Sequence, residues 1–219
     1  MAVQEVATLL PIQPPKLARD VTEGSLEDVQ PWSEPRFIVQ SPYNELRHQL
    51  DLTTLDYENA LLAKALSTLD ATREDYAVAS YNVSFNWSDV MARLKALVSV
   101  YGQPYRNATF YIVAFRSQIK PSTDYSHLGE LDKAAHLEAV ESGGFLKYWF
   151  GSPDSELRNL ATCLWRSKED AVAGGRGPAH RKAAMSTRSL YAYWKIDQHR
   201  LTIRNNAEAW EIVPWVDDA

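Results

Sequence analysis

Residues 108–119, ATFYIVAFRSQI, are apolar on both faces of a single strand. Period-2 alternation sends Phe110, Ile112 and Ala114 one way and Tyr111, Val113 and Phe115 the other. A strand with two apolar faces has no side to show to water. It belongs in the middle of a sheet that is covered above and below. The rest of the chain therefore has to supply two covers.

The segment downstream of this strand supplies one of them. Asp124 to about Ser142 carries Leu128, Leu131, Ala135 and Ala139 at helical spacing and stops at Gly143-Gly144. FLKYWF (145–150) and NLATCLW (159–165) predict two strands joined through Gly151-Ser152-Pro153-Asp154. Pro178 suits the first turn of a helix predicted to run to Trp194. RLTI and AEAWEIV predict a hairpin around Asn205-Asn206. The order from 108 onward is β-α-β-β-α-β, the ferredoxin-like pattern in which two helices cover one face of an antiparallel sheet.

The second cover has two candidate sources. Upstream, Leu55, Leu62, Ala65, Leu66 and Leu69 predict a helix within 53–70, YAVASYNV (76–83) predicts a strand, and Ser88 predicts the N-cap of a helix that stops at Gly102. This α-β-α extension (51–105) precedes the ferredoxin-like core (106–219) in one α+β domain, and it could close the free face within the chain. The other source is a second copy of the chain. Residues 1–50 hold six prolines and little periodicity, which predicts an extended Pro-rich arm, with Phe37-Ile38-Val39 able to dock onto the body.

Charge and cysteine usage exclude several functions. A net charge of -5 argues against nucleic acid as the partner. One cysteine excludes an internal disulfide framework and a Cys-based zinc cluster. No apolar run is long enough to cross a bilayer, and no basic segment precedes the apolar residues at the N-terminus, so a cytoplasmic protein is expected.

WRSKEDAVAGGRGPAHRKAAM (165–185) resembles the segment of dimeric α+β barrel proteins in which a strand ending in Trp leads to a Ser-x-Glu helix start and then a His on the next helix. That superfamily includes cofactor-free monooxygenases, haem-binding enzymes such as aldoxime dehydratases, decarboxylases and isomerases. Three stretches, SFNWSDVMARL (84–94), FYIVAFRSQ (110–118) and SGGFLKYWFGSPDSELRNLATCLWRSKEDA (142–171), resemble a family of fungal proteins that brings no activity with it. The resemblance implies a ferredoxin-like core of dimeric α+β barrel type, a homodimer through the face that helices leave free, and a fungal secondary-metabolite setting. It also implies a cofactor-independent enzyme that cyclises, isomerises or rearranges an apolar carbonyl-bearing metabolite. The alternatives are a haem enzyme with His180 as axial ligand and a non-catalytic ligand- or partner-binding protein.

The residues offer candidates for that chemistry. His180, at the start of the helix predicted to carry Tyr191 and Trp194 on the same face, could move a proton, as could Tyr191. The plain structural alternative for His180 is a bond to the preceding loop. Arg116, next on the Phe110–Ala114 face, could polarise a substrate oxygen, or form a structural ion pair with Glu138 or Glu141. Lys147, Tyr148, Trp149, Trp165 and Trp194 could shape a substrate pocket, although alternation splits Tyr148 and Phe150 from Lys147 and Trp149. AGGRGPAH (173–180) could hold an anion at a helix N-terminus. From 166 to 200, eight Arg and Lys face three Asp and Glu, an excess that could attract an acidic small molecule. Asp132 and His136 sit four apart on one helix and could be a catalytic pair, although that spacing is more typical of a surface interaction. Cys163 reads as inert core. No metal-ligand spacing stands out.

Overall fold

The computed structural model describes residues 34–217. A two-residue strand, β1 (Phe37–Ile38), pairs antiparallel with β2 (Leu50–Asp51). Three helices come next in the chain: α1 (Tyr57–Leu66), α2 (Tyr81–Ser84) and α3 (Trp87–Tyr101). Then come β3 (Ala108–Ile119), α4 (Tyr125–Ser142), β4 (Phe145–Phe150), β5 (Arg158–Trp165), α5 (Lys168–Gly174), α6 (Pro178–Leu190), β6 (Tyr191–Arg204) and β7 (Ala209–Pro214).

Local chemistry sets these boundaries. Asp56 caps α1 by accepting from the Asn59 N–H, and Asp124 caps α4 by accepting from the Ser126 and His127 N–H groups. Gly102 ends α3 in the left-handed region (φ 68°). The N-cap of α3 is Asn86 rather than Ser88. The Asn86 side chain is drawn back to Thr68 O and the Asp70 N–H, which fixes the turn one residue before the helix.

The main sheet runs β4-β5-β3-β6-β7, antiparallel throughout, so β3 is central. On one face Phe110, Ile112 and Ala114 join Leu160, Leu164, Leu201 and Ile203 in a single core with Leu62 and Leu66 of α1 and Trp87 and Leu94 of α3. On the other, Tyr111, Phe145 and Trp165 meet Ala139 of α4. Both covers come from the same chain. The face that the resemblance assigned to a second subunit is occupied by α1 and α3, so any homodimer has to use another surface.

Two predicted elements are corrected. Residues 76–83 form no strand; they make a turn that leads into α2. The Arg116 guanidinium takes the carbonyls of Tyr76, Ala77 and Ala79, so a side chain satisfies acceptors that a ladder would otherwise use. The helix from Pro178 stops at Leu190 rather than Trp194, because the aromatic run from Tyr191 to Trp194 pairs with Ser117–Ile119 and starts β6. Tyr191 and Trp194 therefore do not share a helix face with His180.

Of the predicted arm, residues 1–33 lie outside the described residues. Residues 34–50 lie against the body. Gln40 and His48 are buried, and the Tyr148 N–H donates to Gln40 O at 2.8 Å, which closes the outer edge of β4.

Ile112 is fully buried where the two covers meet the sheet. Ile112→Ala should lower the unfolding free energy in urea by about 2–5 kcal/mol. A loss under about 1 kcal/mol would mean that this strand is not the packed centre.

Candidate functional site

A polar cluster built around a buried histidine pair lies where α4 and β4 meet the 41–48 segment. Asp132 on α4 accepts hydrogen bonds from the hydroxyls of Tyr43 and Tyr148, each at 2.5 Å. One turn further on, His136 is 4% exposed, and its Nδ1 lies 2.9 Å from Nδ1 of the buried His48. Such a contact needs one nitrogen to donate and the other to accept, so two neutral rings here are complementary tautomers. Burial holds His136 down to about 3 and lowers His48 as well, so both rings are neutral at pH 7. Neither Nε2 has a hydrogen-bond partner among the described residues. Burial raises the Asp132 carboxyl against the opposing pull of its two tyrosine bonds, and it raises both phenols. Phe145 packs edge-on against His136, and Phe150 stands beside Tyr43 and Tyr148.

The predicted residues divide between the two sheet faces. His180 Nδ1 is 3.0 Å from Glu138 Oε2, and the same carboxylate accepts from the backbone N–H groups of Ala179 (2.6 Å) and His180 (3.0 Å). The start of α6 thus does hold an anion, the protein's own Glu138. A Cβ at Gly177 would collide with that carboxylate, which explains the glycine. The cavity at this end of α6, lined by Leu131, Ala179 and Lys182 among others, holds about 80 Å³. Tyr191 packs edge-on against Phe115, and burial with the nearby Asp132 charge pushes its phenol up to about 12. Trp194 stacks on Phe115 and is 45% exposed.

Arg116 lies on the opposite face from His180 and Tyr191. Its Nε donates to Asp197 at 3.0 Å, and its terminal nitrogens donate to the carbonyls of Tyr76 (3.3 Å), Ala77 (2.6 Å) and Ala79 (2.8 Å). Its partners are not Glu138 or Glu141, and four of its five N–H groups are committed to Asp197 and the 76–79 turn. Alternation on β4 holds as expected. Tyr148 joins the Asp132 cluster, while Lys147 and Trp149 point to the other face, where Trp149 donates to Asp70 at 3.1 Å. Burial lowers the Lys147 ammonium to about 8. Trp165 is core and donates to Cys163 Sγ at 3.0 Å; burial pushes that thiol up to about 11, away from the reactive thiolate. Among the described residues no group of three or more His, Cys, Asp or Glu side chains is placed to hold a metal ion.

The sequence offers Asp132 and His136 as a catalytic pair but favours a surface interaction, and it gives no sign of Tyr43 and His48. The i,i+4 spacing was visible. The burial was not, because it comes from a segment almost ninety residues upstream.

A family model described as PB2B2.08-like matches residues 39–214. UPF0643 protein PB2B2.08 of Schizosaccharomyces pombe is 39% identical over 185 residues, which span 80% of this chain and 83% of that protein. The chain belongs to the PB2B2.08-like family. Among solved structures, it is similar to a putative antibiotic biosynthesis monooxygenase from Nitrosomonas europaea (13% identity, TM-score 0.36, 49% of this chain and 90% of that one). It is also similar to SnoaB, a cofactor-independent oxygenase from Streptomyces nogalater (11% identity, TM-score 0.35, 45% and 95%). Likenesses of that size carry no argument about fold or reaction; strand order carries the fold.

This geometry makes two predictions about stability. Arg116→Met removes an ion pair and strands three carbonyls, and should lower stability by about 2–4 kcal/mol. A loss below about 1 kcal/mol would show that the 76–79 turn is held by something else. The histidine pair sets a pH dependence. With His136 at about 3 when folded and near 6.5 when unfolded, the unfolded state binds more protons between those values. Stability from this ring is therefore complete above about pH 6.5 and falls as the pH drops toward 3. His48 acts in the same sense, and the raised Asp132 carboxyl acts in the opposite one. From pH 6.5 to 5.5 the wild type should lose on the order of 1 kcal/mol more than His136→Asn. Parallel pH curves for the two proteins would show that His136 is not held neutral.

Proposed function

We propose that this chain is a small-molecule enzyme that transfers protons at the Asp132 cluster. It would act without a bound metal or haem, in the cyclisation, isomerisation or rearrangement of an apolar carbonyl-bearing metabolite in fungal secondary metabolism. One observation carries the reading: a carboxyl with raised proton affinity holds two phenol hydroxyls beside two buried neutral imidazoles. Perturbed titratable groups gathered in one place are a signature of acid–base sites. In this reading Asp132 takes a proton from the carbon next to the carbonyl. The Tyr148 or Tyr43 hydroxyl donates a hydrogen bond to the oxygen as negative charge develops there, and Asp132, now protonated, returns the proton to the product while the His136–His48 pair stays neutral. Phe145 packs against His136 and Phe150 against Tyr43 and Tyr148, which gives the cluster apolar neighbours. Tyr43 and His48 come from the 41–48 segment, so substrate reaches the carboxyl when that segment lifts from α4.

The resemblance to a superfamily containing cofactor-free monooxygenases, decarboxylases and isomerases supports this class of chemistry. Membership of the PB2B2.08-like family adds that the matched region, 39–214, spans all five residues of the cluster. His180 keeps a positioning role here: bonded to Glu138, it fixes α6 against α4.

The test is deuterium exchange. Apolar ketones incubated with the protein in heavy water should gain label at the carbon next to the carbonyl, as read by NMR. Asp132→Asn should slow labelling at least 100-fold, and Tyr148→Phe should slow it markedly, with circular dichroism confirming that both variants fold. Absence of labelling by the wild type across the panel, or equal labelling by folded Asp132→Asn, contradicts the assignment.

A further inference from the structure

The face of the sheet that carries Arg116 bears an open cleft of about 390 Å³, within the range of small-molecule sites. Its floor is the end of the sheet near Ile119. Arg158 of β5 and Tyr193 of β6 flank Gln118 of β3 in one cross-strand row, and Leu160 and Lys195 flank Arg116 two residues along β3. Neighbouring strands are about 4.8 Å apart, so Arg158 and Tyr193 face each other across about 10 Å. Its wall is the turn from Ala77 to Ser80, which Arg116 fixes through its bonds to the Ala77 and Ala79 carbonyls.

The polar groups in this cleft are unequally satisfied. Asp197 accepts from both Arg116 (3.0 Å) and Lys195 (2.7 Å), so its carboxylate is already shared. Arg158 uses Nε on Asp154 at 2.8 Å, which leaves both of its terminal nitrogens without a partner among the described residues. Two further donors line the same cleft. The Ser80 hydroxyl makes no hydrogen bond among the described residues, and the Lys195 side chain is 57% exposed. With Asp154 counted beside the lining, three cations face two carboxylates, an excess of one positive charge. The apolar surfaces are Tyr193, 53% exposed, and Val78, 54% exposed. A forked guanidinium end, an ammonium, a hydroxyl donor and an exposed aromatic ring line the same cleft. That combination suits a planar oxyanion on a flat apolar body.

We propose that this cleft binds a small organic acid, its carboxylate on Arg158 and Lys195 and its ring or chain against Tyr193. The site lies across the sheet from the Asp132 cluster and does not depend on the reaction proposed there. Arg116 is its positioning residue and Arg158 the group that reads the anion.

The probe is 4-hydroxyphenylacetate, titrated into the full chain at low salt and monitored by two-dimensional amide NMR, with its neutral amide and inorganic phosphate as parallel titrants. The carboxylate should shift the resonances of 77–80 and 193–197 saturably. The neutral amide should bind at least 10-fold more weakly, and so should the carboxylate to Arg158→Gln, whose own spectrum reports its folding. Lys195→Gln should weaken binding by a smaller factor. Three results would each overturn the proposal: no saturable shift in the wild type, equal binding of acid and amide, or unchanged affinity in folded Arg158→Gln. Phosphate shifting the same resonances as tightly as the aromatic acid would also overturn it, since the site would then read a bare oxyanion without an organic body.

Discussion

Burial of β3 from both sides decides where the other elements of this chain can go. A strand with Phe110, Ile112 and Ala114 on one face and Tyr111 and Val113 on the other cannot leave either face in water. The helices between the strands cover one side, as the β-α-β-β-α-β order requires. The upstream helices α1 and α3 cover the other, where a related architecture would recruit a second subunit. Cover within the chain gives the sheet two distinct chemical faces.

That division separates the two sets of polar groups. On the α4 side, Tyr43 and His48 of the 41–48 segment meet Asp132, Tyr148 and His136, with the two imidazoles buried and the carboxyl and phenols partly buried. Removing a carboxyl and two imidazoles from water is unfavourable unless they satisfy one another, and here the two Nε2 atoms remain without partners among the described residues. Two unpartnered buried ring nitrogens carry a desolvation cost, so stability alone does not account for these residues. On the other side, Arg116 spends its donors on the backbone of a turn and builds the wall of an open cleft.

Much of this fold was legible locally. β3, β4, β5 and the hairpin at Asn205-Asn206 are set by period-2 alternation and turn residues, and α4 is set by Asp124 at one end and Gly143 at the other. Local reading failed where a distant group overrides local preference. YAVASYNV looks like a strand until Arg116, some forty residues later, takes its carbonyls. The run from Tyr191 to Trp194 fits a helix face or a strand equally well, and the ladder with Ser117–Ile119 decides it. The Asp132 cluster was the least legible part. Tyr43 and Asp132 are 89 residues apart, and so no spacing rule joins them. Arg116 was correctly seen to need partners, but its partners are on the face that Glu138 and Glu141 never reach.

A buried, neutral histidine pair beside Asp132 is what the proton chemistry of the cluster depends on, and imidazole nitrogen NMR tests it most directly. At pH 7 the spectra should show His48 and His136 as two neutral, complementary tautomers, one protonated at Nδ1 and the other at Nε2. The His136 signals should stay unchanged as the pH falls through 6.5 to 5. If His136 titrated near 6.5, or both rings showed the same tautomer, the pair would not be buried and neutral beside Asp132, and the reading of the cluster would fail with it.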